Sequence, residues 1–145
     1  MSQEATVVIA GHAAGLGEAL RERFEAGGYT VVSVARHGHA LWATDLRDPQ
    51  ATAQLFSRLD GQAPPLAGVL HNAMQFHRQP FLQTSAQTLQ EVWQSMVLTA
   101  FNVGQQAIPR LAARGGGCLV FSGASGSLRA GPQFSAFSSA KFALR

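Results

Sequence analysis

The sequence predicts an α/β domain of three layers, a parallel sheet with helices on both faces. Three observations carry this reading. Short β-branched runs alternate with longer stretches of helical periodicity, the pattern of repeated strand–helix–strand units. A glycine-rich segment joins the first strand to the first helix. The 145 residues are 46% hydrophobic and only 13% charged, which suits one well-buried domain over residues 1–145 and not a disordered chain.

Thr6-Val7-Val8-Ile9-Ala10 reads as a first, buried strand. The helix after it starts near Gly15, with Leu16, Leu20 and Phe24 on one face and Arg21, Glu22 and Glu25 on the other; Gly27-Gly28 ends it. Thr30 to Ala35 forms the second strand and Ala40-Leu41-Trp42-Ala43 a short third. Asp48-Pro49 opens a helix, the aspartate as an acceptor at the N-cap and the proline in the first turn, with Leu55, Phe56 and Leu59 as its apolar face. Leu66-Ala67-Gly68-Val69-Leu70 is the fourth strand. A long helical region runs from about Ser85 to Arg114, with Leu89, Val92, Trp93, Met96 and Val103 as core candidates and Pro109 placed to kink its end. Gly115-Gly116-Gly117 breaks the chain before a fifth strand, Cys118-Leu119-Val120-Phe121, and a last helix begins near Ser135 and is still running at Arg145. The expected product is a parallel sheet of about five strands in the order 3-2-1-4-5.

No apolar run reaches the roughly 18 residues of a membrane span. The first five residues lack the basic start of a secretory signal. A cytoplasmic location with no membrane partner is therefore expected. One cysteine, Cys118, excludes an internal disulfide and fits a reducing compartment; set in an apolar run, it reads as a buried, inert thiol. A net charge of +3 and a pI of about 10.0 raise the question of nucleic acid. The ten arginines are scattered singly, with no basic stripe among aromatics, so no nucleic-acid partner is expected. No metal-ligand spacing is present, and no metal is predicted. Against those ten arginines stands a single lysine, Lys141. Compositional bias and a position that needs an amine explain that count equally well.

Gly11-His12-Ala13-Ala14-Gly15-Leu16-Gly17 links the first strand to its helix. Glycines there permit a tight turn and let backbone N–H groups approach a pyrophosphate, while the helix N-terminus favours the anion. The spacing Gly-x3-Gly-x-Gly differs from the commoner Gly-x-Gly-x-x-Gly, but its place between a buried strand and an amphipathic helix marks a dinucleotide site of Rossmann-like type. Gly11, His12, Gly15, Leu16 and Gly17 are its candidate cofactor contacts. An acidic residue at the end of the second strand would bind the ribose hydroxyls of NAD; this chain has Ala35-Arg36 there, which favours the 2′-phosphate of NADP(H) over NAD(H).

Four landmarks now coincide: Gly11-x3-Gly15-x-Gly17, Asp45-Leu46 after the third strand, His71-Asn72-Ala73 after the fourth, and Phe137-x3-Lys141 in the last helix. Through them the sequence resembles the short-chain dehydrogenase/reductase family over essentially all its residues. The resemblance implies an oxidoreductase that transfers hydride to or from a carbonyl or alcohol of a small-molecule substrate. It places Asp45 and Leu46 at the adenine, Asn72 and Ala73 along the cofactor cleft, and Lys141 at the nicotinamide ribose. It also implies pairing through the long helix and the lysine helix, hence a homodimer or tetramer.

The departures from the family pattern are large. The general-acid tyrosine position is Phe137, the substrate-oxygen serine position is Gly123, and the asparagine of the long helix falls at Met96, with Ser95 beside it. Met74 replaces the glycine usual after Asn72-Ala73. Of the four usual catalytic groups only Lys141 remains; Ser122 and Ser125 are the candidate substitutes for the serine. Tyr29, the only tyrosine, is expected at the opposite end of the sheet. His77 reads as a solvated loop histidine that could replace the acid, His71 as part of a buried wall. Family members continue past the lysine helix, so the chain is expected to be incomplete at its C-terminus, leaving the fifth strand as an exposed edge. The expected function is an NADP(H)-dependent short-chain oxidoreductase with a non-standard active site; the alternative is a non-catalytic dinucleotide-binding or interaction module.

Overall fold

Among the described residues, stretches rich in β-branched residues fold into four parallel strands, β1 (Thr6–Ala10), β2 (Thr30–Val34), β3 (Leu66–His71) and β4 (Cys118–Phe121). The computed structural model describes residues 4–37 and 42–145. The strands are ordered β2-β1-β3-β4. Val8 of β1 pairs with Val32 on one side and Val69 on the other. Having a neighbour on each edge, β1 is buried along its whole length.

This is the expected parallel sheet in the expected order, less the third strand. Ala40 and Leu41 lie outside the described residues, while Trp42 and Ala43 are turn and coil. Trp42 packs against the core and carries the Arg58 guanidinium 4.8 Å above its ring. β4 pairs only with β3 among the described residues, so Cys118, Val120 and Phe121 stay exposed. The buried thiol read from the apolar run is thus corrected: apolar sequence marks a strand but not whether the strand is central.

Among the described residues five α-helices cover the sheet and its C-terminal end: α1 (Leu16–Ala26), α2 (Pro49–Gln62), α3 (Ala86–Trp93), α4 (Thr99–Ala113) and α5 (Ser135–Leu144). Asp48 caps α2 as its sequence implies, accepting from the Gln50 and Ala51 amides at 2.8 and 3.3 Å, with Pro49 in the first turn. Leu55, Phe56 and Leu59 of α2 and Val103, Ala107 and Leu111 of α4 meet Val8, Val32, Val34 and Val69 in the main core. Phe56 is fully buried there, and truncating it to alanine would cost about 3–5 kcal/mol. Helix α1 packs on β1 and β2. Its Leu16 is 57% exposed, not core, and Leu89 and Trp93 of α3 are also exposed. Trp93 spans to α5, its indole N–H donating to Ser139 Oγ at 2.9 Å.

The long helix is interrupted upstream of the position the proline suggested. Residues Gln94–Leu98 form a π-helical turn between α3 and α4, whereas α4 runs through Pro109 to Ala113. A π turn leaves carbonyls without regular partners. The Thr99 hydroxyl donates to Ser95 O within this turn at 2.9 Å. No helix among the described residues is long and apolar enough to cross a membrane.

Candidate functional site

In a parallel sheet the carboxyl ends of the strands open toward the connecting loops, and ligands bind there. A cleft of about 530 Å³ lies at that end, bordered by the Gly11–Leu16 loop, Arg36 and His37 after β2, Thr44–Arg47, Asn72–Met74 after β3, Ser122 and Gly123 after β4, Ser95 and Thr99, and Lys141 of α5. Nine of the eleven residues read as cofactor contacts line it; Gly15, at the N-cap of α1, and Gly17, buried in the first turn of that helix, do not. A second hollow of about 590 Å³ between α4, β4 and the end of α5 has no titratable side chain in its lining.

The glycine loop is held by the sheet itself. The Gly11 and His12 amides both donate to Val34 O, at 2.9 and 2.8 Å. A Cβ on Gly11, whose φ is +96°, would stand 2.3 Å from the Ala73 nitrogen, so only glycine lets the two loops meet. Gly15 precedes α1 without any side-chain cap; the Glu18 amide donates to Ala13 O at 3.2 Å, and the Leu16 and Gly17 amides have no partner among the described residues. His12 lies between loop and helix: its Nε2 is 3.3 Å from Glu18, while its Nδ1 is shut from solvent with no partner among the described residues.

A continuous set of hydrogen bonds crosses the cleft floor. Asn72 Nδ2 donates to Gly11 O at 3.3 Å, Ser122 Oγ donates to Asn72 Oδ1 at 2.6 Å, and Lys141 Nζ donates to Ser122 O at 2.7 Å. Loop, third strand, fourth strand and lysine helix are therefore fixed to one another. Lys141 is only 3% exposed, and among the described residues the Ser122 carbonyl is its one hydrogen-bond partner. Buried lysines are normally paired with a carboxylate; this one is not, among the described residues, and burial pushes its pKa down.

Beneath the cleft, His71 Nε2 lies 2.8 Å from Thr99 Oγ1. Thr99 Oγ1 also reaches Ser95 O at 2.9 Å, so the ring is tied through the threonine to the π turn. Burial, and secondarily the charge of Lys141, push the imidazole down to about 4. His71 is thus the buried wall its position suggested, and neutral. His77 is not the solvated histidine expected, since its Nε2 is buried without a partner among the described residues.

The family's catalytic positions carry apolar side chains here. Met96 and Phe137 are buried in one small cluster with Val92, Ala136 and Ala140. Gly123 has nothing within 4 Å of where a Cβ would stand. Ser122 borders the cleft, but its hydroxyl is engaged by Asn72. Ser125 does not line the cleft: it is exposed in a short 3-10 turn (Ser125–Ser127), which corrects its reading as a substitute serine. Asp45 lines the cleft with its carboxylate bound to Arg47 at 2.6 Å, which holds its pKa below the ordinary carboxylate value. Tyr29 packs edge-on against Phe24 before β2, away from these residues. Sequence reasoning missed Thr44, Arg47, Met74 and Thr99 as lining residues. Arg47 was detectable, standing two residues after Asp45; Thr99 was not, because the π turn aims it.

The sequence profile of the family described as short chain dehydrogenase matches residues 5–145. The chain belongs to the short chain dehydrogenase family, oxidoreductases that use NAD(P)(H). No curated protein sequence matches it. Among solved structures, a short-chain dehydrogenase from Rhodopseudomonas palustris is 29% identical with a TM-score of 0.89, the alignment covering 97% of this chain and 74% of the other. A short chain dehydrogenase from Shigella flexneri complexed with NADP is 25% identical, TM-score 0.89, covering 98% and 68%. One from Streptomyces avermitilis shares the fold at 23% identity and TM-score 0.90, covering 99% of this chain but 57% of its own.

Proposed function

We propose that the chain is the dinucleotide-binding part of an NADP(H)-dependent oxidoreductase acting on a carbonyl or alcohol, with a non-standard active site. The observation that carries this reading is Lys141. A buried ammonium with only a carbonyl partner is costly to the fold, and it lines the same cleft as the glycine loop.

The residues fit a dinucleotide. Gly11 leaves the space that a Cβ would fill, the uncapped start of α1 offers the Leu16 and Gly17 amides to a pyrophosphate, and Arg36 borders the cleft after β2 with no acidic residue next to it in the sequence. Arg36 would hold a 2′-phosphate, Asp45 the adenine side and Lys141 the ribose hydroxyls. The cofactor, when bound, supplies or accepts the hydride. Phe137 gives no proton, and the hydroxyls of Ser122 and Ser95 are directed at Asn72 and Gln75. Of the residues lining the cleft between Asn72 and Lys141, Lys141 alone is titratable, and its lowered pKa suits it to hold the proton there.

The second reading, a non-catalytic dinucleotide-binding module, is favoured by one observation: Met96 and Phe137 pack in a single apolar cluster. Fluorescence titration with NADPH and NADH tests the first step. NADPH should bind at least about ten-fold tighter, a difference of about 1.4 kcal/mol, and Arg36→Glu should remove that preference. Absence of binding by either nucleotide overturns both readings. Binding without oxidation of NADPH across a carbonyl panel selects the module.

A further inference from the structure

Two loops distant in sequence, residues 74–80 after β3 and 128–134 before α5, are joined beside the cleft. The Gln79 amide donates to Gln133 O at 2.8 Å, and Arg78 Nε donates to Gln133 Oε1 at 2.7 Å. A ladder of rings runs between the loops. The Lys141 ammonium lies 5.7 Å from the Phe137 centroid, Phe137 is 5.3 Å from Phe76, Phe76 is 5.9 Å from Phe134, and the Arg78 guanidinium is 5.7 Å from Phe134. The ladder begins at a residue lining the cleft and ends at a surface cation. Phe76 is 60% exposed, and Met74, which lines the cleft, is 58% exposed. Rings inclined at 58° and 63° offer edges and faces to a further ring.

Charge is distributed unevenly around this ladder. Residues 1–60 carry seven acidic and five basic side chains; residues 61–145 carry one acidic, Glu91, and six basic. Neither loop contains an acidic residue. Among the described residues Arg78 has no carboxylate partner, and its terminal nitrogens make no hydrogen bond. Stacked on Phe134 and tied through Nε, the guanidinium presents a pre-oriented fork to a planar anion.

We propose that this ladder is a specificity platform that takes an aromatic carboxylate: the ring packs on Phe76 and Phe134, the carboxylate meets the terminal nitrogens of Arg78, and the remainder lies toward Lys141. The proposal rests on the cofactor-cleft reading above. Three phenylalanines alone would accept any apolar molecule, and the arginine is what selects the acid.

Isothermal titration with phenylglyoxylate and with its uncharged methyl ester, each with and without NADPH, tests it. With NADPH present the acid should bind at least ten-fold tighter than the ester. Arg78→Gln should abolish that preference and leave ester affinity unchanged. Arg78→Lys, which keeps the charge without the fork, should retain part of it. Phe76→Leu should weaken both ligands several-fold, with thermal melting confirming that each variant folds. Equal affinity of acid and ester, a preference that survives Arg78→Gln, or displacement of the acid by NADPH each overturns the platform. If NADPH does not bind but the Arg78-dependent preference persists without it, the cofactor reading fails and the platform stands.

Discussion

The two ends of the cleft differ in what holds their residues. At the cofactor end, Gly11, Asn72, Ser122 and Lys141 are joined one to the next by hydrogen bonds that include backbone carbonyls of the sheet and its loops. At the end where the family performs its proton chemistry, positions 96, 123 and 137 hold methionine, glycine and phenylalanine, two of them packed together. The first end is tied to the sheet through the Gly11–Asn72 and Ser122–Asn72 bonds, with Lys141 added from α5 through a backbone carbonyl. The second depends on side-chain chemistry alone, and removing a hydroxyl from a nearly buried ring leaves a well-packed cluster. If the proposed function holds, binding and proton transfer rest on different parts of this architecture.

The strongest way to break the comparison is at Gly11. Gly11→Ala sets a Cβ against the Ala73 backbone at a positive φ; stability should fall by about 3 kcal/mol and NADPH binding should disappear in the same titration. Acid acts on both ends through His71. Its value in the fold, about 4, lies below the ordinary 6.5, so the unfolded chain takes up the proton first as pH falls. Stability should decline between pH 6.5 and about 4 by up to about 3 kcal/mol and level off below. Asp45 and Asp60, lowered by Arg47 and Arg110, add their losses only near and below the ordinary carboxylate range. Denaturant melts of His71→Gln should show the slope between pH 6.5 and 4 flattened; an unchanged slope would place the titration elsewhere.

Lys141→Met separates stability from binding. Removing an unpaired buried charge should leave the melting temperature unchanged or raise stability by about 1 kcal/mol, while NADPH affinity drops about 10- to 100-fold. A parallel loss of both would mean the lysine is a structural residue. The smallest effect is expected at Phe137→Tyr, where a hydroxyl enters the Met96 cluster at a cost of about 1 kcal/mol. Combined with Gly123→Ser, for which there is open space, it should raise NADPH oxidation above background with a carbonyl panel.

The sheet and the glycine loop were legible because they obey local rules. Valine-rich runs, a glycine turn and an Asp-Pro helix start each specify their own structure within a few residues. Lys141 was legible as an exception in composition. The exposure of Cys118 was not, since a strand's place in the sheet is set by pairing with distant segments. Nor was the platform: Phe76 and Phe134 are 58 residues apart in sequence, and only the order of β3 and β4 brings their loops together. Ser122 was singled out for its hydroxyl, yet its carbonyl is what meets the lysine, a choice of atom that residue type does not reveal.

The π turn at Gln94–Leu98 makes the long helix sensitive to length as well as to composition. It holds one residue more than an α turn, and each residue of a helix advances it by about 100°. The faces of α3 and α4 are offset accordingly: Trp93 reaches Ser139 on α5, while Val103, Ala107 and Leu111 face the sheet. A single deletion here would return the helix to regular winding and swing one half about a quarter turn against the other. In this stretch the number of residues is itself a structural constraint, independent of which residues they are.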